Sequence, residues 1–352
     1  MLGKIMIAKM EILSALSYLA MILPAPSSFI TMARREMFRF IWGGKTERVK
    51  RTIMYKPKAL GGRDVLDITK KFKAMFLSNI LKGIADQGGE ALWTLFAKFW
   101  VGRYMPGKNW ERRPLTLPSS DTRPYLYQEA KDFLVKHKGT ICAGSELSSG
   151  AIHELLEDAP PRIETIRALT ENQCVRVWKC TSFPFLFNKH KDVAWKVAQN
   201  CLPTRTVLYR WGLCASAKCI RESFCNEETI DHVFWDCTFA KLVWNVFRPW
   251  FGNYNMVLCR ETVLFGLHMR KKGQEFCRLW AVINCVKCTL WVVRNKLFLK
   301  KEKITLGGAK SMALNSIKDY VTRDLLKYGK EKTKVMWKMD CMEHLFGWDL
   351  CF

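Results

Sequence analysis

The chain has 352 residues, of which 49% are apolar and 12% aromatic, so it has room for two or three domains with buried cores. This composition excludes wholesale disorder, and 14 cysteines are too sparse for a small disulfide scaffold, which favours reduced thiols or metal ligands. Lysine and arginine number 57 against 32 acidic residues, a formal net charge of +25. Such a charge favours anionic partners, nucleic acid ahead of small acidic substrates.

The first predicted element is an amphipathic helix near the N-terminus. An apolar run extends from Ile12 to Leu23, but Glu11 interrupts it and no small-residue cleavage site follows, which argues against a secretory leader. Ile12, Leu16, Leu19 and Leu23 recur at helical spacing, so we expect this face to dock onto the protein. No other stretch approaches the roughly twenty uninterrupted apolar residues of a spanning helix, so we expect no membrane partner.

The next predicted feature is a basic segment within the first 85 residues. Arg48, Lys50 and Arg51 lie between two glycine pairs and close to Trp42 and Tyr55. Cations mixed with flat rings suit a nucleic-acid backbone and its bases, so these three residues are candidate nucleic-acid contacts. The alternative is a solvated loop.

The strongest chemical signal is a cluster of cysteines with one histidine. Cys219, Cys225, His232 and Cys237 are separated by five, six and four residues. Three thiolates and one imidazole form the ligand set of a closed tetrahedral Zn²⁺ site. Cys214, separated from Cys219 by four residues, is the alternative first ligand. A closed site leaves no position for water, so the zinc would be structural and not catalytic.

The residues between the predicted ligands fit a metal site. Glu228 brings negative charge close to a dication, and Thr229 is placed to hydrogen-bond to a ligand. His232 and Cys237 are slightly more than one helical turn apart, so Cys237 needs a local break or the start of a helix.

Basic residues flank the same cluster. The nearest are Arg205, Arg210, Lys218 and Arg221, which we predict as candidate phosphate contacts. Their alternative role is solvated surface.

The predicted fold is mainly α-helical, in four segments. Residues 1–85 form a helical block, and residues 86–170, rich in proline, glycine and serine, form an irregular connector. Residues 171–252 form a small zinc-stabilised helical domain, and residues 253–352 form a basic helical C-terminal region. The last region carries an apolar stripe at spacings of four and three, consisting of Val282, Val286, Leu290, Val293 and Leu297.

A longer series of residues surrounds the cluster. In chain order it reads Trp195-Lys196-Val197-Ala198, Leu202-Pro203-Thr204, Leu208, Arg210-Trp211-Gly212, Cys219, Cys225, Glu228-Thr229, His232, Phe234, Cys237 and Trp244. This series resembles the zinc-binding domain that follows the reverse transcriptase in LINE-type non-LTR retrotransposon proteins. Downstream, Trp291-Val292-Val293-Arg294-Asn295 is similar to the tryptophan and Arg-Asn pair after that domain. Upstream, four short segments resemble the thumb region of these proteins. They are Leu23-Pro24-Ala25-Pro26, Phe40-Ile41-Trp42-Gly43-Gly44, Pro57-Lys58 and Gly61-Gly62.

The resemblance implies the C-terminal part of such an enzyme, with a thumb-like segment followed by a zinc domain that helps to hold RNA or DNA. We expect an intracellular protein, and the sequence leaves open whether it lies in the nucleus or the cytoplasm. The sequence contains no Tyr-x-Asp-Asp and no adjacent Asp-Asp, the residues that hold the metal ions of polymerisation, so we expect no enzyme activity. Because the thumb normally packs on a palm, we also expect an exposed apolar patch in the first eighty residues and a protein partner that replaces the palm.

A second hypothesis belongs to another class. The zinc fold and the helical stripe would bind a partner chain, while the basic segments only steer the encounter and contact no nucleic acid. A small-molecule substrate is not expected, because the sequence has no P-loop, Gly-x-Gly-x-x-Gly, Gly-x-Ser-x-Gly or His-Glu-x-x-His.

Overall fold

The computed structural model of the protein describes residues 1–85, 91–105, 124–138, 140–141, 147–157, 159–221, 227–269 and 273–338. Within these ranges the chain is mostly helical and has no β-strand, which confirms the predicted mainly α-helical fold. One isolated antiparallel bridge joins Lys218 to Glu227.

The helices of the described ranges follow one another along the whole chain. They are α1 (Leu2–Ile7), α2 (Leu13–Ile22), α3 (Ser27–Trp42), α4 (Arg51–Tyr55), α5 (Ile68–Ala85), α6 (Leu92–Val101), α7 (Tyr125–Lys136), α8 (Ser149–Leu155), α9 (Glu171–Thr181), α10 (Asn188–Ala198), α11 (Arg205–Arg210), α12 (Thr238–Gly252), α13 (Arg260–Phe265), α14 (Gly273–Lys300), α15 (Leu306–Tyr328) and α16 (Lys330–Trp337). Shorter 3-10 turns cover Lys58–Leu60 and Gly102–Tyr104, and π-helical turns cover Ala8–Ile12 and His232–Asp236.

The chain divides into two compact units. Unit 1 consists of Met1–Glu47 and Asp64–Arg162, and unit 2 consists of Arg48–Arg63 and Ile163–Phe352. The basic residues Arg48, Lys50 and Arg51 therefore belong to unit 2, the unit that also contains the cysteine and histidine cluster.

Helix α5 lies at the centre of unit 1. Phe76, Leu77 and Leu81 are fully buried there, and α5 packs against α2, α6 and α8. The Ser78 hydroxyl donates a hydrogen bond to the Leu147 carbonyl at 2.6 Å, so the buried polar side chain on this face of α5 has a hydrogen-bond partner.

The N-terminal helix is confirmed, but the prediction of its docking face is wrong. Ile12, Leu19 and Leu23 are 44%, 59% and 58% exposed, and only Leu16 of the predicted face is half-buried. The residues that dock include Ala8 and Leu13, five positions apart, because the π-helical turn between α1 and α2 adds a residue and rotates the buried stripe. The displaced apolar side chains form the exposed patch expected within the first eighty residues.

Helix α14 is the central helix of unit 2. Trp280, Ile283 and Val286 are completely buried, and α14 packs against α10, α12, α15 and α16. Four residues of the predicted stripe are buried and the fifth, Leu297, is half-buried, so the 3.6-residue period of the sequence identified the buried face.

The basic segment of residues 48–63 is held within unit 2 by hydrogen bonds to Gly61, the first residue of its glycine pair. The Gly61 carbonyl accepts hydrogen bonds from Trp195 Nε1 at 2.8 Å and Gln199 Nε2 at 2.9 Å. Gly61 has φ +95°, and a Cβ there would lie 2.7 Å from the Glu164 Cβ, so only glycine fits. Arg63, two residues after Gly61, forms an ion pair with the Asp192 carboxylate in α10.

Two described helical stretches are long and apolar enough to cross a membrane, judged by length and composition alone. They are Leu2–Ile22 and Gly273–Lys300. The core helix of a soluble protein passes the same test, so the expectation of no membrane partner stays a prediction.

Candidate metal centre

Three of the predicted ligands come together in unit 2. Ligand atoms of Cys219, His232 and Cys237 all lie within 4.8 Å of one another, and all three residues are buried. Cys219 lies in the loop after α11, His232 in a π-helical turn, and Cys237 immediately before α12. Residues from three consecutive segments thus meet in one compact group of two thiols and one imidazole.

The π-helical turn orients the histidine. The His232 backbone N–H donates to Thr229 Oγ1 at 3.1 Å, which fixes the start of the turn. Nε2 of His232 is buried and has no hydrogen-bond partner among the described residues. A buried nitrogen without a partner is costly unless a ligand such as a metal ion takes its lone pair.

Cys237 lies at a break between two helical turns, as the spacing between His232 and Cys237 predicts. Its backbone is extended (φ −58°, ψ 133°), and its N–H donates to the His232 carbonyl at 2.9 Å. The Cys219 side chain stabilises the Cys237 thiolate by hydrogen bonding, and the neighbouring His232 ring and the first backbone N–H groups of α12 stabilise it further. They hold the pKa of the Cys237 thiol well below its usual value. The thiolate is the form that binds metal.

The geometry distinguishes the two candidates for the first ligand. Cys214 is half-buried, and its thiol donates to the Ser216 carbonyl at 3.3 Å and the Arg205 carbonyl at 3.6 Å. It does not belong to the group around His232, whereas Cys219 does. Cys225 lies outside the described residues, so its role as the fourth ligand stays a prediction.

The residues present fit a zinc ion. Zn²⁺ takes thiolate and imidazole ligands in a tetrahedral arrangement, and two sulfurs with one nitrogen already lie at close range in a buried position. A fourth ligand from the neighbouring loop would close the site. The chain's own residues would then hold the ion, and the ion would tie the loop after α11 to α12.

Glu228 connects this centre to the long core helix. The Glu228 Oε1 atom accepts hydrogen bonds from Arg294 Nη2 at 2.5 Å, Arg294 Nε at 2.9 Å and the Arg205 backbone N–H at 2.8 Å. Both charged side chains are buried, at 1% exposure for Glu228 and 6% for Arg294. The Glu228 carbonyl also accepts from Thr206 Oγ1 at 2.7 Å. The ion pair therefore joins α14 and α11 to the loop that leads to His232.

The sequence indicates these two residues only separately. Glu228 is expected to bring charge near the metal, and Arg294 is indicated only by the resemblance of its Arg-Asn pair. The two residues are 66 positions apart, and nothing in a single sequence indicates which buried cation meets which carboxylate.

The predicted phosphate contacts near the metal centre differ in their exposure. Arg210 and Lys218 are exposed, while Arg205 and Arg221 are half-buried. The Arg221 guanidinium lies 3.7 Å from the centroid of the Phe239 ring, at a pocket that Cys219 and His232 also line.

The other predicted contacts lie in the segment before α4 and at its start. Lys50 is exposed, and Arg48 and Arg51 are half-buried.

Comparison with known families agrees with this assignment. Residues 164–244 match the family described as zinc-binding in reverse transcriptase, a range that contains all four predicted ligands. No curated protein matches the chain. The match and the Cys219, His232 and Cys237 group together support a reverse-transcriptase-related protein with a zinc-binding module.

Proposed function

We propose that this chain is the C-terminal part of a LINE-type reverse transcriptase and that it binds RNA or DNA without polymerising it. The observation that carries the proposal is the buried group of Cys219, His232 and Cys237 inside the matched range, directly beside a basic loop. Cys225, or another fourth ligand, would complete a structural zinc site that keeps this loop in shape.

The charge around the centre favours a phosphate backbone. Residues 205–221 contain four cations, Arg205, Arg210, Lys218 and Arg221, and no aspartate or glutamate. Together with the net charge of +25, this segment provides a local attraction for polyanions that falls steeply as salt rises. The missing Tyr-x-Asp-Asp supports a binding role and not a polymerising one.

The proposal is tested by fluorescence anisotropy with labelled RNA and DNA oligonucleotides over a series of salt concentrations. We expect the full-length, zinc-loaded chain to bind both, with an affinity that falls linearly on a log–log plot. Arg210→Gln with Lys218→Gln should weaken binding to all sequences and flatten the slope by about one unit per lost contact. Lys82→Gln, which removes an exposed charge of unit 1, is the control. Absence of binding at physiological salt would refute the proposal.

A protein partner is the second candidate, and the surface of unit 1 favours it. Met6, Met10 and Tyr18 are 56%, 66% and 71% exposed on the N-terminal helix. Exposed apolar side chains in such number mark interaction surfaces, and a partner in place of the palm would cover them. Homopolymeric RNA discriminates between the candidates, because at physiological salt it competes for a nucleic-acid surface and leaves an apolar protein interface intact.

A further inference from the structure

Five consecutive exposed residues follow one another at the end of α11. Within this run, Tyr209, Trp211 and Leu213 are 54%, 44% and 67% exposed, and Arg210 and Gly212 lie between them. We call residues 209–213 the exposed aromatic run. The other large rings in the described part of unit 2 are buried or half-buried, and the tryptophans below 2% exposure are Trp178, Trp195, Trp244, Trp250, Trp280 and Trp337. Rings that remain in water beside a packed core point to a ligand.

The backbone of the exposed aromatic run is held in place. The N–H groups of Trp211 and Leu213 donate to the Val207 and Leu208 carbonyls at 3.2 and 2.9 Å. The first residue of the same helix, Arg205, donates its N–H to the Glu228 carboxylate. The run is therefore anchored on the loop of the metal centre, and the rings are presented without the entropy cost of ordering a free loop.

The rings stand in a positive environment. Arg205 precedes Tyr209 by four residues, so the two share one face of the helix. The Arg210 side chain is exposed and makes no hydrogen bond or ion pair with any described residue. No aspartate or glutamate occurs between residues 205 and 221, so neither cation has an acidic neighbour within this stretch of sequence.

Tyr209 and Trp211 do not stack on each other. Positions two apart on a helical turn point in different directions, so each ring keeps a face for a ligand. A ring face next to a cation is the combination that binds an unpaired base together with its phosphate. A duplex does not offer this contact, because its bases are already stacked on one another.

We propose that the exposed aromatic run binds single-stranded nucleic acid, with Tyr209 and Trp211 stacking on unpaired bases and Arg205 and Arg210 contacting the adjoining phosphates. This inference rests on the proposed nucleic-acid function and specifies which form of nucleic acid the site takes. An apolar protein partner fits the run less well, because it would leave the cations beside the rings without a counter-charge.

The test measures binding of the full-length, zinc-loaded chain to labelled oligo-dT, oligo-rU and a duplex of mixed sequence. Each base stacked on a ring contributes about 1–3 kcal/mol, so Tyr209→Ala and Trp211→Ala should each weaken single-strand binding by about fivefold to a hundredfold. The salt slope should not change, since no charge is lost. Duplex binding should also stay the same.

Two conservative changes separate stacking from general apolar contact. Tyr209→Phe keeps a ring and should bind single strands as the wild type does, whereas Trp211→Leu keeps apolar volume without a ring and should bind as weakly as Trp211→Ala. Tyr125→Ala in unit 1, at a ring that is 68% exposed, is the control and should bind normally.

The outcomes separate this inference from the function on which it rests. If the wild type binds single strands and both alanine variants bind equally well, the stacking proposal is overturned while the nucleic-acid function stands. Wild-type affinity in Trp211→Leu overturns it too, because it points to an apolar contact of the kind a protein makes. If the wild type binds neither single strands nor duplex, the proposed function itself fails.

Discussion

Two helical stretches of almost the same hydropathy have opposite environments. Leu2–Ile22 has a mean hydropathy of 1.7 and Gly273–Lys300 one of 1.5 over their most apolar windows, yet 22% of the first window is buried and 78% of the second. Hydropathy therefore did not decide which of the two helices is buried in a core. The number of neighbouring helices did, because α14 is packed against several elements of unit 2 while the N-terminal helix packs mainly on α5.

The buried charged residues of α14 show how complete the environment of this helix is. In α14 the buried charges have partners: Arg278 lies 3.3 Å from Asp324, Arg294 pairs with Glu228, and Lys287 Nζ donates to the Leu264 carbonyl at 3.0 Å. A buried charge is tolerated when such partners exist. Helix α14 is thus adapted to a complete environment, whereas the N-terminal helix leaves apolar side chains in water.

The largest expected effect comes from breaking the ion pair between α14 and the metal-centre loop. Arg294→Met leaves Glu228 buried without its cation, which should cost about 3–5 kcal/mol of the free energy of unfolding of unit 2. Urea denaturation followed by tryptophan fluorescence measures this loss. Arg260→Met, which removes a 52% exposed arginine near Asp231, should cost less than about 1 kcal/mol. Equal costs for the two variants would mean that burial of the Arg294 pair is unimportant.

A smaller effect tests the contrast between the two helices directly. Leu279 of α14 is fully buried, so Leu279→Ala should cost about 2–5 kcal/mol through lost burial and the cavity left behind. Leu19 of the N-terminal helix is 59% exposed, so the same truncation there should change the free energy of unfolding by no more than about 0.5 kcal/mol. A large loss in Leu19→Ala would show that the N-terminal face is covered in solution.

The smallest expected effect is a gain in stability, not a loss, and its size depends on pH. Burial lowers the pKa of Lys287 to about 7 in the folded protein, against about 10.5 when unfolded. Between these values the unfolded chain binds the extra proton, so this group makes folding more favourable as pH rises from 7 to 10.5. Lys287→Met should add about 1–4 kcal/mol of stability at or below pH 7, and the gain should shrink towards pH 10.5. A gain that is independent of pH would contradict the assignment.

The sequence predicted the parts that depend on local pattern. The apolar stripe of α14 follows from its spacing, and the meeting of His232 with Cys237 follows from their separation by about one turn. The sequence favoured Cys219 as the first ligand but left Cys214 open, because both lie in a loop where no periodicity applies.

What the sequence could not predict depends on tertiary contacts or on local irregularity. The π-helical turn after α1 adds one residue, and this reversed which of Ile12 and Leu13 is buried. The exposure of Trp211 was equally hidden, because a tryptophan in a basic helical segment has the same sequence signature whether it is buried or in water.

The most direct test of the metal centre is the zinc content of the purified full-length chain, measured by mass spectrometry beside His232→Ala, Cys237→Ala and Cys214→Ser. We expect one zinc per chain in the wild type and in Cys214→Ser, because Cys214 lies outside the ligand group. We expect loss of zinc together with loss of unit 2 structure in the other two variants. A wild-type chain that is folded without metal, or a Cys214→Ser chain that has lost its zinc, would contradict this expectation.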